Sequence, residues 1–117
     1  MRNLIVTFCL ALVPIAASAH AVLDSAAPGK GATVASTDVI RLQYSEGIEP
    51  SFSTITVAPD GGAPLAAAKP ETDPADGHVL LLRLAAPLPP GRYRVDWRVL
   101  SVDTHRSNGG FTFTVAP

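Results

Sequence analysis

Three residues of this chain could together bind a metal ion: His20, Asp103 and His105. A histidine at a free N-terminus carries two nitrogen donors, the α-amine and the imidazole, which together can close a chelate ring on a metal. Asp103 and His105 flank Thr104, and in an extended chain residues two apart point to the same face. If the chain is cut before His20 and that end lies near Asp103, we expect a set of three nitrogen donors and one oxygen donor.

The N-terminal residues predict such a cut. Residues 1–19 begin with Met1-Arg2-Asn3, continue as an apolar run and end in Ala17-Ser18-Ala19, which fits the small-x-small pattern of a signal-peptidase site. The apolar run is well short of the roughly 20 residues that a membrane-spanning helix needs. We therefore predict a cleaved signal peptide over 1–19 and one exported domain over 20–117, with no membrane span in the mature chain.

The donor types favour Cu(II). Imidazole, amine and carboxylate donors in a tetragonal array suit this ion, which also has the highest affinity in the divalent series. Zn(II) is the main competitor and prefers a tetrahedral shell. Cu(I) prefers thiolate or thioether donors, and the single Cys9 and Met1 both fall in the predicted leader. Because the amine and the imidazoles must lose their protons to bind, we expect the affinity for Cu(II) to fall with pH.

Composition argues against a nucleic-acid partner and against a disulfide-stabilised fold. The chain has 9 Lys and Arg against 10 Asp and Glu, a formal net charge of −1. It has no basic stripe, which argues against a nucleic-acid partner. With its only cysteine in the predicted leader, the mature domain must fold without a disulfide.

The hydrophobic pattern predicts an all-β domain, because short runs of Val, Ile, Leu and Thr alternate with Pro, Gly and Asp. Residues 92–99 alternate apolar and polar side chains, with Trp97 on the core face. Residues 79–82 are continuously apolar, as in a strand covered on both faces. A last strand is expected from Phe111, entered through Asn108-Gly109-Gly110. With further strands near 21–26, 40–44, 54–58 and in the loop 61–77, about seven strands indicate a Greek-key β-sandwich or barrel of immunoglobulin-like type.

Several segments of the chain resemble the CopC family. They are His20-Ala21 directly after the leader, Tyr44-Ser45-Glu46, residues 90–93 running into Trp97-Arg98-Val99, residues 101–105, and residues 110–113. The resemblance covers essentially all of residues 20–117. CopC-like proteins are periplasmic copper carriers with a Greek-key β-barrel or sandwich. Their Cu(II) site uses the N-terminal amine and imidazole, an aspartate and a second histidine, which implies His20, Asp103 and His105 here.

The resemblance carries two further implications, and the chain departs from the family at two points. It implies an acidic residue beside the N-terminal amine, and Glu46 stands at the matching position, although a surface glutamate at a strand end is an equal alternative. It implies delivery of copper to an inner-membrane CopD-like protein. Many relatives have glycine where this chain has Thr104, a change we expect to leave the ligands intact because that side chain should point away. The methionine-rich Cu(I) site of some members is not expected, since the mature chain has no methionine.

Three functions remain as alternatives. The leading one is a non-enzymatic Cu(II) carrier or buffer in copper resistance or homeostasis. The second is a histidine-brace copper oxidase or monooxygenase, which would need an open coordination position and a broad substrate surface. The third is a metal-free Ig-like adhesion or chaperone module. His78, after the turn signal Asp76-Gly77, is expected to be an exposed hairpin histidine, with an auxiliary metal ligand as the alternative.

Overall fold

The structure is a computed structural model that describes residues 20–65 and 68–117. The predicted leader, residues 1–19, lies outside the described residues. The described part contains one short 3-10 helix, Pro50–Phe52, and eight strands: β1 Leu23–Ala27, β2 Thr33–Val34, β3 Val39–Tyr44, β4 Thr54–Pro59, β5 Glu71–Asp73, β6 Asp76–Arg83, β7 Gly91–Leu100 and β8 Arg106–Val115. No helix in these ranges is long and apolar enough to cross a membrane.

The strands form two four-stranded sheets, in the orders β1-β3-β6-β5 and β2-β8-β7-β4. All pairings are antiparallel except that between β2 and β8. The predicted all-β sandwich is confirmed. The one strand that was not predicted, β2, has only two residues, which are too few to leave a periodic pattern in the sequence.

The core lies between the sheets, where the alternating side chains of β7 meet those of β3 and β6. Tyr93, Val95, Trp97 and Val99 are all buried, as predicted, and they share one cluster with Ile40, Leu42, Tyr44, Leu80 and Leu82. Residues 79–82 are buried without interruption, which confirms that β6 is covered on both faces. The core therefore forms from packing alone, as a domain without disulfides requires.

The entry to β8 differs from the prediction. The strand begins at Arg106, so Asn108-Gly109-Gly110 lie within it and do not form a turn. Gly109 pairs with Trp97, and a Cβ at this position would lie 2.6 Å from the indole Cζ2. The glycine therefore makes room for the tryptophan ring, which is a use of strand glycine that the sequence pattern does not distinguish from a turn.

Candidate metal site

Two segments meet at one end of the sandwich: the residues before β1 and the turn between β7 and β8. The imidazole rings of His20 and His105 lie 5.8 Å apart, centroid to centroid, at an interplanar angle of 81°. The His105 Nδ1 is 3.4 Å from the Asp103 Oδ1. The fold thus brings together the three residues predicted as ligands, with all three side chains reachable from solvent.

The route by which Asp103 and His105 meet is different from the prediction. Residues 102–104 form a turn, not an extended strand, and Thr104 adopts a positive φ of 73°. The Thr104 N–H donates to the Ser101 carbonyl at 2.9 Å, and the Ser101 N–H donates to the His105 carbonyl at 2.9 Å. The backbone curvature of this turn therefore juxtaposes the two side chains. A left-handed conformation is strained for a β-branched residue and favours glycine.

Ser101 organises this turn from a fully buried position. Its hydroxyl donates to the Asp103 carboxylate and accepts a hydrogen bond from the His105 N–H at 3.3 Å. That hydroxyl is the main cause of a lowered pKa of the Asp103 carboxyl, with His105 lowering the pKa further. Asp103 is therefore held in the charged form that a cation requires.

The residues after His20 are anchored to both sheets. The Val22 N–H donates to the Ser45 Oγ at 2.9 Å, and the Ser45 N–H donates to the Val22 carbonyl at 2.9 Å. On the other side, the Ser107 hydroxyl donates to the Ala21 carbonyl at 2.8 Å. This segment therefore bridges the end of β3 and the start of β8, which places His20 beside His105.

Ser45, Ser101 and Ser107 were not identified from the sequence as site residues. Ser101 offered a weak signal, because a serine two residues before an aspartate at a strand end often hydrogen-bonds to the local backbone. Ser45 and Ser107 offered none, since their partners are far away in the chain.

The His20 imidazole has its own partner, the Arg106 carbonyl, at 3.2 Å from Nδ1. In the neutral ring this nitrogen would be protonated and would donate to the carbonyl. A compact chelate with an α-amine closes through Nδ1, the nearer ring nitrogen, so this hydrogen bond must open for chelation. In the uncut chain the His20 nitrogen is bonded to Ala19. Within 20–65 and 68–117, no group of three or more His, Cys, Asp or Glu is arranged to hold a metal ion.

Glu46 and His78 are placed less directly. Glu46 is half-buried in the turn after β3, and its carboxylate makes no hydrogen bond or ion pair with another described residue. Its neighbour Gly47 accepts the Val102 N–H at 2.9 Å, so the same turn supports the β7–β8 turn. His78 is exposed, and its N–H donates to the Asp76 Oδ1 at 2.9 Å. The hairpin turn itself lies at Pro74-Ala75, two residues before the expected position.

The fold and the side chains at its end define a small β-sandwich that gathers imidazole and carboxylate groups beside the start of its first strand. The chain belongs to the CopC family: the family model of the CopC domain matches residues 23–116. It is 36% identical over 109 residues to the copper resistance protein C of Escherichia coli, covering 88% of this chain and 86% of that protein.

Two solved structures are similar to the fold. The E. coli protein PcoC, described as a methionine-rich copper resistance protein, has a TM-score of 0.73 and 36% identity over 83% of this chain and 99% of that one. CopC from Methylosinus trichosporium OB3b has a TM-score of 0.77 and 30% identity over 84% and 95% of the two chains. The family supports a copper-binding role for this chain. Unlike the methionine-rich PcoC, this chain has one methionine, Met1.

Proposed function

We propose that this chain is a periplasmic Cu(II) carrier or buffer that binds its cargo through His20 after cleavage of the leader. The α-amine and imidazole of His20, the carboxylate of Asp103 and the imidazole of His105 would supply three nitrogen donors and one oxygen donor. The observation that carries the proposal is the 5.8 Å separation of the two imidazoles, with Asp103 against the second ring.

The environment of these donors supports Cu(II) over Cu(I). The carboxylate is kept ionised by Ser101, and no thiol or thioether is present after residue 19. Hard and borderline donors favour the higher oxidation state. The anchored segment from Ala21 to Val22 reduces the ordering that metal binding would require, which favours affinity.

The proposed role is binding and transfer, without catalysis. An anionic carboxylate among the donors would stabilise Cu(II) relative to Cu(I) and so discourage redox cycling. The test is copper-dependent oxidation of a polysaccharide in the presence of a reductant. We expect no turnover above that of free copper, and turnover by the loaded protein would establish the monooxygenase alternative instead.

The decisive experiment compares two forms of the chain, one that begins at His20 and one with a single glycine ahead of it. Added glycine converts the His20 amine into a peptide nitrogen, as in the uncut chain whose contacts are described above. In competition titrations we expect one tight Cu(II) equivalent for the first form. For the second form we expect the Cu(II) affinity to fall by more than about a hundredfold, which exceeds the cost of losing a residue that only supports a ligand. Equal affinities would overturn the proposal.

The cut itself is tested by the intact mass of the exported protein, which should correspond to a chain starting at His20. We further propose that an inner-membrane CopD-like protein receives the copper, as the family resemblance implies. Its test is transfer of Cu(II) from the loaded carrier to that protein in vesicles, with free Cu(II) at the same buffered concentration as the control.

A further inference from the structure

A cleft of about 270 Å³ lies on the outer face of β7 and β8, directly beside the candidate metal site. Its lining is Arg98, Val99, Arg106, Ser107 and Asn108. Arg106 follows His105 in the chain, and its carbonyl is the partner of the His20 ring. Strand pairing sets Arg98 opposite Asn108 and Arg106 opposite Leu100, so the two guanidinium groups extend from neighbouring strands.

The charges of this cleft are unbalanced. Within the described ranges, Arg98 and Arg106 make no ion pair and no side-chain hydrogen bond. Other arginines of the same chain do, in the pairs Arg83–Glu71, Arg92–Asp60 and Arg94–Asp96. Two free guanidinium groups in one concave surface are a favourable site for carboxylates, which they bind through paired hydrogen bonds. Without a carboxylate partner, these two guanidinium groups would only repel a cation bound at the neighbouring site.

Two exposed apolar side chains lie at the same end of the molecule. The large exposed hydrophobic residues of the described ranges are Val22, Phe52, Leu65 and Val102. Val22 is held against Ser45, and Val102, which precedes Asp103, donates its N–H to the Gly47 carbonyl. Val22 and Val102 thus belong to the two segments that carry the candidate ligands.

We propose that this end of the sandwich is a docking surface for an acidic segment of the protein with which the chain exchanges copper. Carboxylates of the segment would occupy the cleft between Arg98 and Arg106, and its apolar side chains would lie on Val102 and Val22. This inference rests on the proposed function for the nature of the partner, but the surface itself is independent of bound copper. Charge complementarity at the rim would speed encounter and set orientation.

A protein fits this surface better than an anionic membrane does. Electrostatic binding to lipid requires clusters of about 4 to 8 basic residues, whereas the cleft has two and the whole chain has a formal net charge of −1. Separate valines on either side of a turn also match side-chain contacts better than insertion into a bilayer.

The test uses the metal-free exported protein and an acetylated peptide of alternating Glu and Leu. In NMR titrations we expect the amide signals of Arg98, Arg106 and Asn108 to shift, with weaker binding at higher salt. The double variant R98Q/R106Q should lose affinity at least about tenfold, because each substitution removes charge-assisted hydrogen bonds to a carboxylate, which are stronger than neutral ones. The matched control R92Q/R94Q removes the same formal charge from the same face, at arginines that already have partners, and should lose less than about twofold.

Three results would overturn the docking surface: shifts located elsewhere, equal losses in the two double variants, or preferential binding to phosphatidylglycerol vesicles over the peptide. If the double variant does not fold, the single variants R98Q and R106Q each take its place. A Cu(II) titration of the wild-type protein is run separately. Copper binding without peptide binding rejects the docking surface alone, whereas peptide binding without copper binding rejects the proposed function.

Discussion

The buried hydroxyl of Ser101 donates a hydrogen bond to the exposed carboxylate of Asp103. An exposed candidate ligand is thereby fixed from beneath by a side chain that solvent does not reach. The same hydroxyl accepts the His105 N–H, so one serine orients both candidate ligands of the β7–β8 turn. Ser101, which is fixed by the packing of the sandwich, therefore determines the positions of both candidate ligands.

Replacing Ser101 with alanine should weaken Cu(II) binding and destabilise the fold. Asp103 would lose the main cause of its lowered pKa, and the His105 N–H would lose a partner. We expect about a tenfold to hundredfold loss of Cu(II) affinity and about 1–3 kcal/mol of stability, measured by competition titration and urea unfolding. Ser53→Ala is the matched control, because Ser53 is also buried and its hydroxyl accepts the Leu100 N–H at 3.1 Å. Ser53→Ala should destabilise without a comparable loss of affinity, and equal losses of affinity would refute the role of Ser101.

Replacing Thr104 with glycine should stabilise the chain. A β-branched residue at φ 73° carries strain of order 1–3 kcal/mol, and glycine removes it at an entropic cost of about 0.5–1 kcal/mol. We expect a net gain of up to about 2 kcal/mol in urea unfolding. Thr56→Gly, at an exposed position in β4, should instead destabilise. A loss of stability in Thr104→Gly would show that the turn is not strained.

Replacing Gly109 with alanine should be costly, because the new Cβ would lie 2.6 Å from the Trp97 ring. Overpacking of this kind costs typically about 1–3 kcal/mol, and the displaced indole should also alter the fluorescence of the only tryptophan. Gly77→Ala is the control, since a Cβ there meets nothing within 4 Å. If both variants unfold at the wild-type urea concentration, the close approach of Gly109 to Trp97 is wrong.

The free energy of unfolding should decrease above about pH 10 because of Tyr44. Burial raises the pKa of its phenol, so below the ordinary tyrosine pKa of about 10 both states keep the proton. Above that pH the unfolded chain ionises while the folded chain does not, which favours unfolding. Tyr44→Phe should remove part of this alkaline loss and cost little at neutral pH, since the buried hydroxyl has no hydrogen-bond partner within the described ranges. An unchanged alkaline slope in urea unfolding would contradict this assignment.

The sandwich was predictable because alternation is a local signal. The alternation over residues 92–99 predicts which side chains of β7 face the core, and the apolar run 79–82 indicates a strand covered on both sides. The identity of the ligands stays a prediction. What the sequence did allow was to name three donor residues, His20, Asp103 and His105, which the fold brings to one end of the molecule.

The details that were missed depend on contacts between distant segments or on backbone geometry. Ser45 and Ser107 act on the segment 21–22 across the end of the sandwich. The sequence pattern around Gly109 indicates a turn, and only the pairing with Trp97 on the neighbouring strand shows why glycine is needed there. Thr104 at positive φ breaks the rule that residues two apart share a face, although the turn still brings Asp103 and His105 together.

Copper bound as proposed would also have a mechanical role, because the segment before β1 is anchored. Residues 20–117 contain no cysteine, yet His20 lies beside His105 of the last hairpin. A metal ion held by both would be a reversible cross-link that closes nearly the whole domain into a ring, and closing a long loop restricts the unfolded chain most. Loading and unloading of cargo would then tighten and relax the same closure that a disulfide makes permanent in disulfide-bonded domains.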